Sequence, residues 1–307
     1  MATVLITGGT GMIGTALTKA LVKKNYSVII LSRQTRHPEL QTQNLTYAQW
    51  NIREQTIDKD AIAKTDFIVH LAGAGVADKR WTPKRKREIV DSRVKSGQLI
   101  VKALNETSNN VKGVFSASGI GWYGPDSDRL SFTEDDPAQD DFLGQTCKAW
   151  EESLKPVASI GKRLVIVRTG IVLSNNGGAL KEFSKPLKFG IAAILGSGKQ
   201  IVSWIHIDDL IQVYLDAIEN ERFNGVYNAV APNPVSNKKL TLQLGKIRKG
   251  NFFIPVHVPA FFLRIALGEM SIEVLKSATV SCGKLSAAGF SFSFPTIQQA
   301  MKDLLKR

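Results

Sequence analysis

The chain has 307 residues, of which 43% are hydrophobic and 22% are charged, and its formal net charge is +13. This length suits one large domain or two interlocked domains with a sizeable core, and no apolar run is long enough to cross a bilayer. The two cysteines, Cys147 and Cys282, supply no disulfide framework. We therefore expect a cytoplasmic protein with no removable leader and no association with a membrane.

The positive charge is most concentrated in the segment DKRWTPKRKRE, residues 78–88. A nucleic acid could bind such a patch through its phosphates and stack on Trp81, but no recognised nucleic-acid-binding module accompanies it. The same segment can form the solvated start of a helix or a mouth that attracts phosphorylated ligands. We expect no nucleic-acid partner.

The first fourteen residues carry the strongest local pattern, an apolar run that breaks into a glycine-rich turn. Residues 3–7 are predicted to form a buried strand, and apolar residues at helical spacing predict a helix over 12–24. Glycines between a strand and a helix allow a tight bend and the close approach of a pyrophosphate, which the helix N-terminus attracts. The predicted phosphate-binding turn consists of Gly8, Gly9, Thr10, Gly11, Met12, Ile13 and Gly14.

The second predicted strand, residues 25–32, decides the choice of cofactor. An NAD site usually has a carboxylate at the end of this strand, where it accepts a hydrogen bond from the ribose 2′-hydroxyl. Here the segment reads SRQTR, and Ser32, Arg33 and Arg36 suit a 2′-phosphate. A basic surface loop is the alternative, but after the glycine turn the residues favour NADP over NAD.

The remaining elements alternate between strand and helix, which is the pattern of a doubly wound parallel α/β sheet. Small residues follow the strand at 66–71, where Ala72 and Gly73 would let the backbone pass close to the cofactor riboses. Further strands are predicted over 45–50, 111–118, 163–168 and 225–230, with helices over 84–104, 142–158 and from 296.

Two histidines require a choice between structure and chemistry. His70 lies inside an apolar strand, and a buried core histidine is its simplest interpretation. His206 is followed by Asp208 and Asp209, which suits a metal or relay pair, but Asp208 can equally cap the helix that follows. We therefore predict no metal site.

Ordered segments along nearly the whole chain resemble one family, the atypical extended-type short-chain dehydrogenases/reductases described as nucleoside-diphosphate-sugar epimerase-like or cell-division-inhibitor-like. The matching segments are GGTGMIG, LAGAGVADKRW, DSR, SASGIGWYG, FLGQTCKAWEE, VRTGIVLSNNGGAL, ILGSGKQIVSWIHIDD, GVYNAVAPNPVSN and AAGFSFSFPTIQQAM. The resemblance implies a Rossmann domain over 1–168, completed by about 203–230. A smaller C-terminal substrate or lid domain would comprise 169–202 and 231–307.

The resemblance also implies NADP (NADPH) binding. It would place the phosphates on the glycine turn, the 2′-phosphate on Ser32 and Arg33, and the nicotinamide half near three residues that follow the strand at 66–71. Two residues on the next helix match family positions that face the cofactor. These five residues are Leu71, Ala72, Gly73, Glu88 and Arg93.

The resemblance breaks down at the proton-transfer residues. Ordinary members of the superfamily use a Tyr-x-x-x-Lys pair, in which the lysine lowers the tyrosine pKa so that the phenol can exchange a proton during hydride transfer. Ser118 and Lys148 stand where the serine and lysine are expected, but Gly144 occupies the tyrosine position. Three accounts stay open. In the first, Tyr123 replaces the missing tyrosine, with a ring that only packs on the pocket wall as the alternative for this residue. In the second, water, Lys148 or a substrate group carries the proton. In the third, the protein binds NADP without turnover, as a regulator or redox sensor.

The sequence therefore predicts an NADP-dependent oxidoreductase or epimerase acting on a nucleotide sugar or another carbonyl compound, with a non-catalytic NADP-binding regulator as the alternative. A thiol sensor could use Cys147, although a buried inert cysteine accounts for it as well. Helices on the outer flank of the sheet leave a homodimer open.

Overall fold

The computed structural model describes residues 1–33, 44–126 and 131–306. An eight-stranded sheet runs through it in the order β12-β7-β6-β5-β1-β2-β3-β4, parallel throughout except for β4. The strands are β1 Thr3–Thr7, β2 Ser27–Ser32, β3 Leu45–Asn51, β4 Thr56–Ile57, β5 Phe67–His70, β6 Gly113–Gly119, β7 Arg163–Thr169, β8 Ile171–Ser174, β9 Ile191–Leu195, β10 Ile201–Val202, β11 Trp204–His206, β12 Gly225–Ala229, β13 Val235–Ser236 and β14 Ile254–Val258.

Helices cover both faces of the main sheet. The helices are α1 Met12–Lys23, α2 Lys59–Ala63, α3 Pro83–Glu106, α4 Phe142–Leu154, α5 Pro156–Ser159, α6 Gly178–Leu187, α7 Ile207–Glu219, α8 Asn237–Lys249, α9 Ala260–Leu267, α10 Ser271–Leu275, α11 Gly283–Ala287 and α12 Ile297–Lys306. Among the described residues, none of these helices combines the length and the apolar character needed to cross a membrane.

Alternating side chains of the central strands feed two separate cores. In β1, Val4 and Ile6 join the core formed with α1, α6, α7, α8 and α12, whereas Leu5 joins the core formed with α2, α3, α4 and α5. A strand buried on both faces is therefore apolar at every position, which is why the run after Thr3 is continuous. The predicted doubly wound α/β fold is confirmed.

The strand order reverses beside β1, which lies between β5 and β2. In open parallel sheets this switch point leaves a crevice at the carboxyl ends of the strands, where ligands bind. The carboxyl ends of β1, β2, β5, β6 and β7 therefore define the region of the candidate site.

Three short pairs of strands lie outside the main sheet: β8 with β11, β10 with β13, and β9 with β14. The last pair is parallel and contacts α6 and α8. The strand predicted at 225–230 does return to the main sheet, where β12 pairs with β7. The chain after β7 thus contributes one strand to the main sheet and several short strands outside it.

Two local predictions differ from the structure. The helix predicted over 142–158 is interrupted after Leu154, because Pro156 cannot continue the hydrogen-bond ladder and begins α5 instead. Asp208 does not cap α7: the cap is His206, whose Nδ1 accepts a hydrogen bond from the Asp208 backbone N–H at 3.1 Å.

Candidate active site

The glycine turn after β1 is packed so tightly that side chains cannot enter it. A Cβ on Gly14 would lie 2.3 Å from the Gly8 carbonyl oxygen, and one on Gly9 would lie 2.8 Å from the Ile30 side chain. Gly8 has a φ of +70°, a conformation that glycine adopts without strain. The turn therefore requires glycine at these positions for its own geometry.

The N-terminus of α1 is open toward the carboxyl edge of the sheet. Its cap residue, Gly11, offers no side chain to the first N–H groups, and the first turn contains no acidic residue. Thr10 and Gly11 are exposed, whereas Met12 and Ile13 are half-buried. Backbone donors that no side chain satisfies, together with the positive end of the helix dipole, fit a diphosphate.

Met12 also lies beside the turn that precedes α6. A Cβ on Gly178 would lie 3.3 Å from the Met12 terminal methyl group, and one on Gly177 would lie 3.6 Å from its sulfur. Both glycines have positive φ, +149° for Gly177 and +67° for Gly178. Asn175, two residues earlier, donates a side-chain hydrogen bond to the Leu304 carbonyl of α12. This turn therefore joins the start of α1 to the last helix.

Ser32 and Arg33 lie at the carboxyl end of β2, beside the glycine turn. Ser32 is half-buried and Arg33 is exposed, so the Arg33 guanidinium is accessible to a ligand from solvent. Arg36, which the sequence added to this group, lies outside the described residues.

The carboxyl end of β5 is tied to β1 by the Thr7 hydroxyl, which accepts hydrogen bonds from the backbone N–H groups of Leu71 and Ala72 at 3.1 and 3.2 Å. Gly73 follows and is exposed. A Cβ on Gly73 would lie 3.0 Å from the Arg93 guanidinium carbon, so glycine lets Arg93 lie against this loop.

Arg93 is held between α3, the loop after β5 and α4. Its guanidinium donates to the carbonyl oxygens of Ala74 and Ile89 at 3.0 and 2.9 Å and lies 5.0 Å from the centre of the Trp150 ring. Burial lowers the Arg93 pKa. Glu88 is exposed and pairs with Arg85 at 2.6 Å, and this hydrogen bond lowers the Glu88 pKa. Arg85 in turn donates to the Gly75 carbonyl.

His70 is a fully buried core residue. Its ring nitrogens lie 3.1 Å from Ser116 Oγ and 2.7 Å from Ser96 Oγ, and burial lowers the His70 pKa to about 3. The imidazole is therefore neutral at physiological pH, and the structural interpretation of this histidine is confirmed.

A buried polar network begins at Ser118, near the carboxyl end of β6. Ser118 Oγ donates to Glu151 Oε1 at 2.7 Å. Arg168 of β7 holds both carboxylate oxygens of Glu151, with Nε 2.9 Å from Oε1 and Nη2 3.0 Å from Oε2. The guanidinium lies 3.5 Å from the centre of the Trp122 ring. Because the Ser118 proton points to Glu151, its oxygen presents acceptor lone pairs to a neighbour.

Tyr123 belongs to the same network and has no solvent exposure. Its hydroxyl donates to Asn228 Oδ1 at 2.8 Å and accepts from Arg168 Nη1 at 3.0 Å. Burial raises the Tyr123 pKa. Both the geometry and the pKa disfavour Tyr123 as the residue that exchanges a proton with a substrate.

Helix α4 does not turn Lys148 toward Ser118. Lys148 is exposed, whereas the neighbouring residue Cys147 is buried with its sulfur 3.6 Å from the Gly119 carbonyl oxygen. Burial raises the Cys147 pKa to about 11, so the thiol stays protonated. A Cβ on Gly144 would lie 2.1 Å from the Gln139 carbonyl oxygen, so backbone occupies the space that a tyrosine at 144 would need.

One candidate metal cluster exists among the described residues, formed by His206, Asp208 and Asp303 with their ligand atoms within 4.8 Å. His206 Nδ1 already accepts from the Asp208 N–H, so a neutral imidazole carries its proton on Nε2, 3.4 Å from Asp303 Oδ2. A nitrogen that carries a proton is not a metal ligand. The ring joins α7 to α12 instead and stacks on Phe294 at 3.8 Å.

A doubly wound parallel sheet with a glycine turn at its switch point defines the class of Rossmann-type α/β folds. The model for the NAD dependent epimerase/dehydratase family matches residues 4–153, and a domain of unknown function, DUF1731, matches residues 258–304. Epimerase family protein SSP1921 of Staphylococcus saprophyticus is 36% identical over 306 residues, which cover 98% of each chain. The chain therefore belongs to the NAD dependent epimerase/dehydratase family.

Two solved structures show the same fold over nearly the full length. The human epimerase family protein SDR39U1, crystallised with NADPH, has 30% identity and a TM-score of 0.87 over 99% of each chain. A UDP-glucuronic acid 4-epimerase from Bacillus cereus, in complex with NAD and UDP-4-deoxy-4-fluoro-glucuronic acid, has 20% identity and a TM-score of 0.81, again over 99% of each chain. The second is a likeness of fold alone.

The sequence missed Glu151 and Arg168, the two charged residues at the centre of the network. The signal that was present is weak: Arg168 ends an apolar strand, and Glu151 follows Trp150 in an amphipathic helix. A charged residue at each of these buried positions requires a partner of opposite sign, which could have suggested the pair.

Proposed function

We propose that this protein is an NADP(H)-dependent oxidoreductase or epimerase that acts on a carbonyl or hydroxyl compound at the carboxyl edge of β6. The observation that carries the cofactor choice is the end of β2, where Ser32 and the exposed Arg33 replace the carboxylate of an NAD site. The NADPH bound in the human relative at 30% identity supports the same choice.

The parts of the site have separate tasks in this proposal. Gly8–Gly14 and the open N-terminus of α1 hold the diphosphate, Arg33 pairs with the 2′-phosphate, and Arg93 faces the nicotinamide half across Gly73. When bound, the cofactor supplies hydride transfer. The protein orients the reacting carbon and oxygen beside Ser118, and the loop after β5 helps to exclude water.

Ser118 is the residue we assign to the substrate oxygen. Glu151 holds the serine proton, so the Ser118 oxygen accepts a hydrogen bond from a substrate hydroxyl, and Arg168 keeps Glu151 in place. The proton then leaves through water or a substrate group, because Tyr123 is enclosed and the Cys147 thiol stays protonated. Lys148 is exposed and can assist only from the solvent side.

A calorimetric titration of the whole chain with NADPH and NADH tests the cofactor assignment. We expect Arg33→Ala to weaken NADPH binding by roughly ten- to 150-fold, since a hydrogen bond to a charged group contributes about 1.5–3 kcal/mol, and to change NADH binding little. Arg53→Ala, which also removes an exposed arginine, is the matched control and should leave both affinities unchanged. Equal losses for NADPH and NADH would contradict the 2′-phosphate assignment.

A second function, a non-catalytic NADP-binding regulator, is favoured by one observation: the helix face that meets Ser118 carries Cys147, with Gly144 enclosed by Gln139. Hydride exchange measured over a panel of aldehydes, alcohols and nucleotide sugars separates the two. If the protein turns over one of these compounds and Ser118→Ala reduces the rate, the result supports the enzyme. If NADPH binds tightly but no compound of the panel exchanges hydride with it, the result supports the regulator.

A further inference from the structure

Lys276 lies where three parts of the chain meet, one residue after α10 ends. Its side chain is only 9% exposed. The ammonium group donates to the Tyr123 carbonyl oxygen at 3.2 Å, and it lies 2.8 Å from Glu273 Oε2 and 3.9 Å from Asp141 Oδ2. Lys276 therefore joins α10 to the loop after β6 and to the start of α4.

The group formed by Lys276, Glu273 and Asp141 contains two carboxylates and one cation. The Glu273 side chain is 19% exposed, and burial raises its pKa; Lys276 opposes this shift and Asp141 adds to it. Removal of Lys276 would leave the two carboxylates without this cation, and like charges in a partly buried place repel each other. Lys276 therefore stabilises the contact between α10 and the start of α4.

One route of contacts leads from Lys276 to Ser118 through Tyr123. Lys276 binds the Tyr123 backbone, while Arg168 donates to the Tyr123 hydroxyl at 3.0 Å. Arg168 also holds the Glu151 carboxylate, which accepts the Ser118 proton at 2.7 Å. Because each of these groups is buried, a displacement of Tyr123 is transmitted to Ser118.

A second route runs along α4. Asp141 is the cap of this helix, and its Oδ1 accepts a hydrogen bond from the Gly144 N–H at 2.8 Å, while Oδ2 lies toward Lys276. Glu151 is on the same helix. The two routes from Lys276 therefore meet at Glu151, the residue that holds the Ser118 proton.

The residues that follow Lys276 hold the outer part of the same loop. The Ser277 carbonyl oxygen accepts from the Asp126 N–H at 2.8 Å. Thr279 donates to the Asp126 carboxylate through its N–H at 2.6 Å and through its hydroxyl at 2.8 Å. These bonds keep the loop attached when Lys276 is replaced, so a substitution there acts mainly on the inner part of the loop, at Tyr123.

We propose that Lys276 is a positioning residue for the substrate site: it fixes the loop after β6 against the start of α4, and through them it orients Ser118. This inference rests on the proposed function, because it takes Ser118 as the group that meets the substrate oxygen. Lys276 lies within residues 258–304, which match the domain of unknown function DUF1731. That segment thereby has a part in the reaction that is separate from cofactor binding.

The test uses the full chain and, from the panel of aldehydes, alcohols and nucleotide sugars, the compound that the wild type turns over fastest. We expect Lys276→Met to lower kcat about tenfold to a hundredfold, because a small misplacement of a reacting group is costly, and to leave the NADPH affinity unchanged. Lys185→Met is the matched control: Lys185 also pairs with a carboxylate three residues earlier, Glu182 at 2.6 Å, but on the exposed surface of α6. It should keep the wild-type kcat.

Two further variants separate positioning from folding. Lys276→Met combined with Glu273→Leu removes a carboxylate together with the cation, so stability in urea should return toward the wild type. Its kcat should stay low, because the Tyr123 carbonyl and Asp141 still lack the lysine. Lys276→Arg keeps the charge and should recover part of the lost kcat. A wild-type kcat in Lys276→Met, or a kcat that the double variant restores in step with stability, would overturn the inference.

Amide hydrogen exchange, measured by mass spectrometry, reports on the same contacts without turnover. Lys276→Met should speed exchange about tenfold in peptides that cover residues 119–126 and 141–147, and Lys185→Met should not. Unchanged amide exchange in these peptides would overturn the inference. If the wild type transfers hydride to no compound of the panel while Lys276→Met still speeds amide exchange, the result supports the link between Lys276 and the loop and contradicts the proposed function.

Discussion

The two sides of the candidate site differ in how their polar groups are exposed and hydrogen-bonded. Beside β1, the N-terminus of α1 has no side-chain cap, and Thr10, Gly11 and Arg33 are exposed. Beside β6, Ser118 and Glu151 are buried and hydrogen-bonded to each other or to Arg168. The first side leaves its donors exposed, which suits the charged ligand that we propose, whereas on the second side the charges of Glu151 and Arg168 compensate each other inside the protein.

The largest effect we expect comes from breaking the buried pair on the β6 side. Arg168→Met leaves the Glu151 carboxylate uncompensated, which costs about 3–5 kcal/mol of unfolding free energy, measured in urea. The double variant Glu151→Leu with Arg168→Met removes both charges and should recover most of that loss. A double variant as unstable as Arg168→Met would show that charge compensation is not what this side contributes.

A substitution in the glycine turn should change the affinity for NADPH, in contrast to the loss of folding stability expected on the β6 side. Gly14→Ala forces the Gly8 carbonyl to move, and we expect NADPH affinity to fall about thirtyfold, equivalent to about 2 kcal/mol. Gly119→Ala on the β6 side is the control, because its Cβ would have ordinary contacts at 3.8 and 3.9 Å and should change NADPH affinity less than twofold. Similar losses of NADPH affinity in the two variants would contradict the proposed difference between the two sides of the site.

The smallest effect concerns Cys147 and separates packing from redox sensing. With the Cys147 pKa raised to about 11 by burial, the thiol is protonated at neutral pH, and the reactive thiolate grows only as pH rises toward that value. In a Cys282→Ala background, iodoacetamide should modify Cys147 very slowly at pH 7, by mass spectrometry. Rapid labelling of Cys147 in the folded protein at pH 7 would instead support the hypothesis that Cys147 is a redox-sensing thiol.

Sequence reasoning reached the fold and the glycine turn because both depend on short-range patterns. An apolar run followed by glycines is typical of a buried strand that ends in a tight turn. The structure gives β1 the bounds Thr3–Thr7 that the sequence predicts. Burial on both faces and the β–α alternation then determine the class of sheet.

The β6 side could not be predicted in the same way. Motif spacing selected Lys148, but adjacent helical residues differ by about 100° around the axis, and the packing of Trp150 and Leu154 turns Cys147 inward instead. The Glu151–Arg168 contact joins a helix to a strand across 17 positions, and no local period encodes it. The space at Gly144 is closed by the Gln139 backbone, which only three-dimensional packing reveals.

The contact between Met12 and the turn at Gly177 and Gly178 gives the C-terminal helix a part in events at the opposite end of the chain. Asn175 attaches that turn to Leu304, so α12 and the opening of α1 share one mechanical connection. A packing change in the final helix can thereby reach the glycine turn that we propose as the diphosphate site, although the two lie at opposite ends of the sequence.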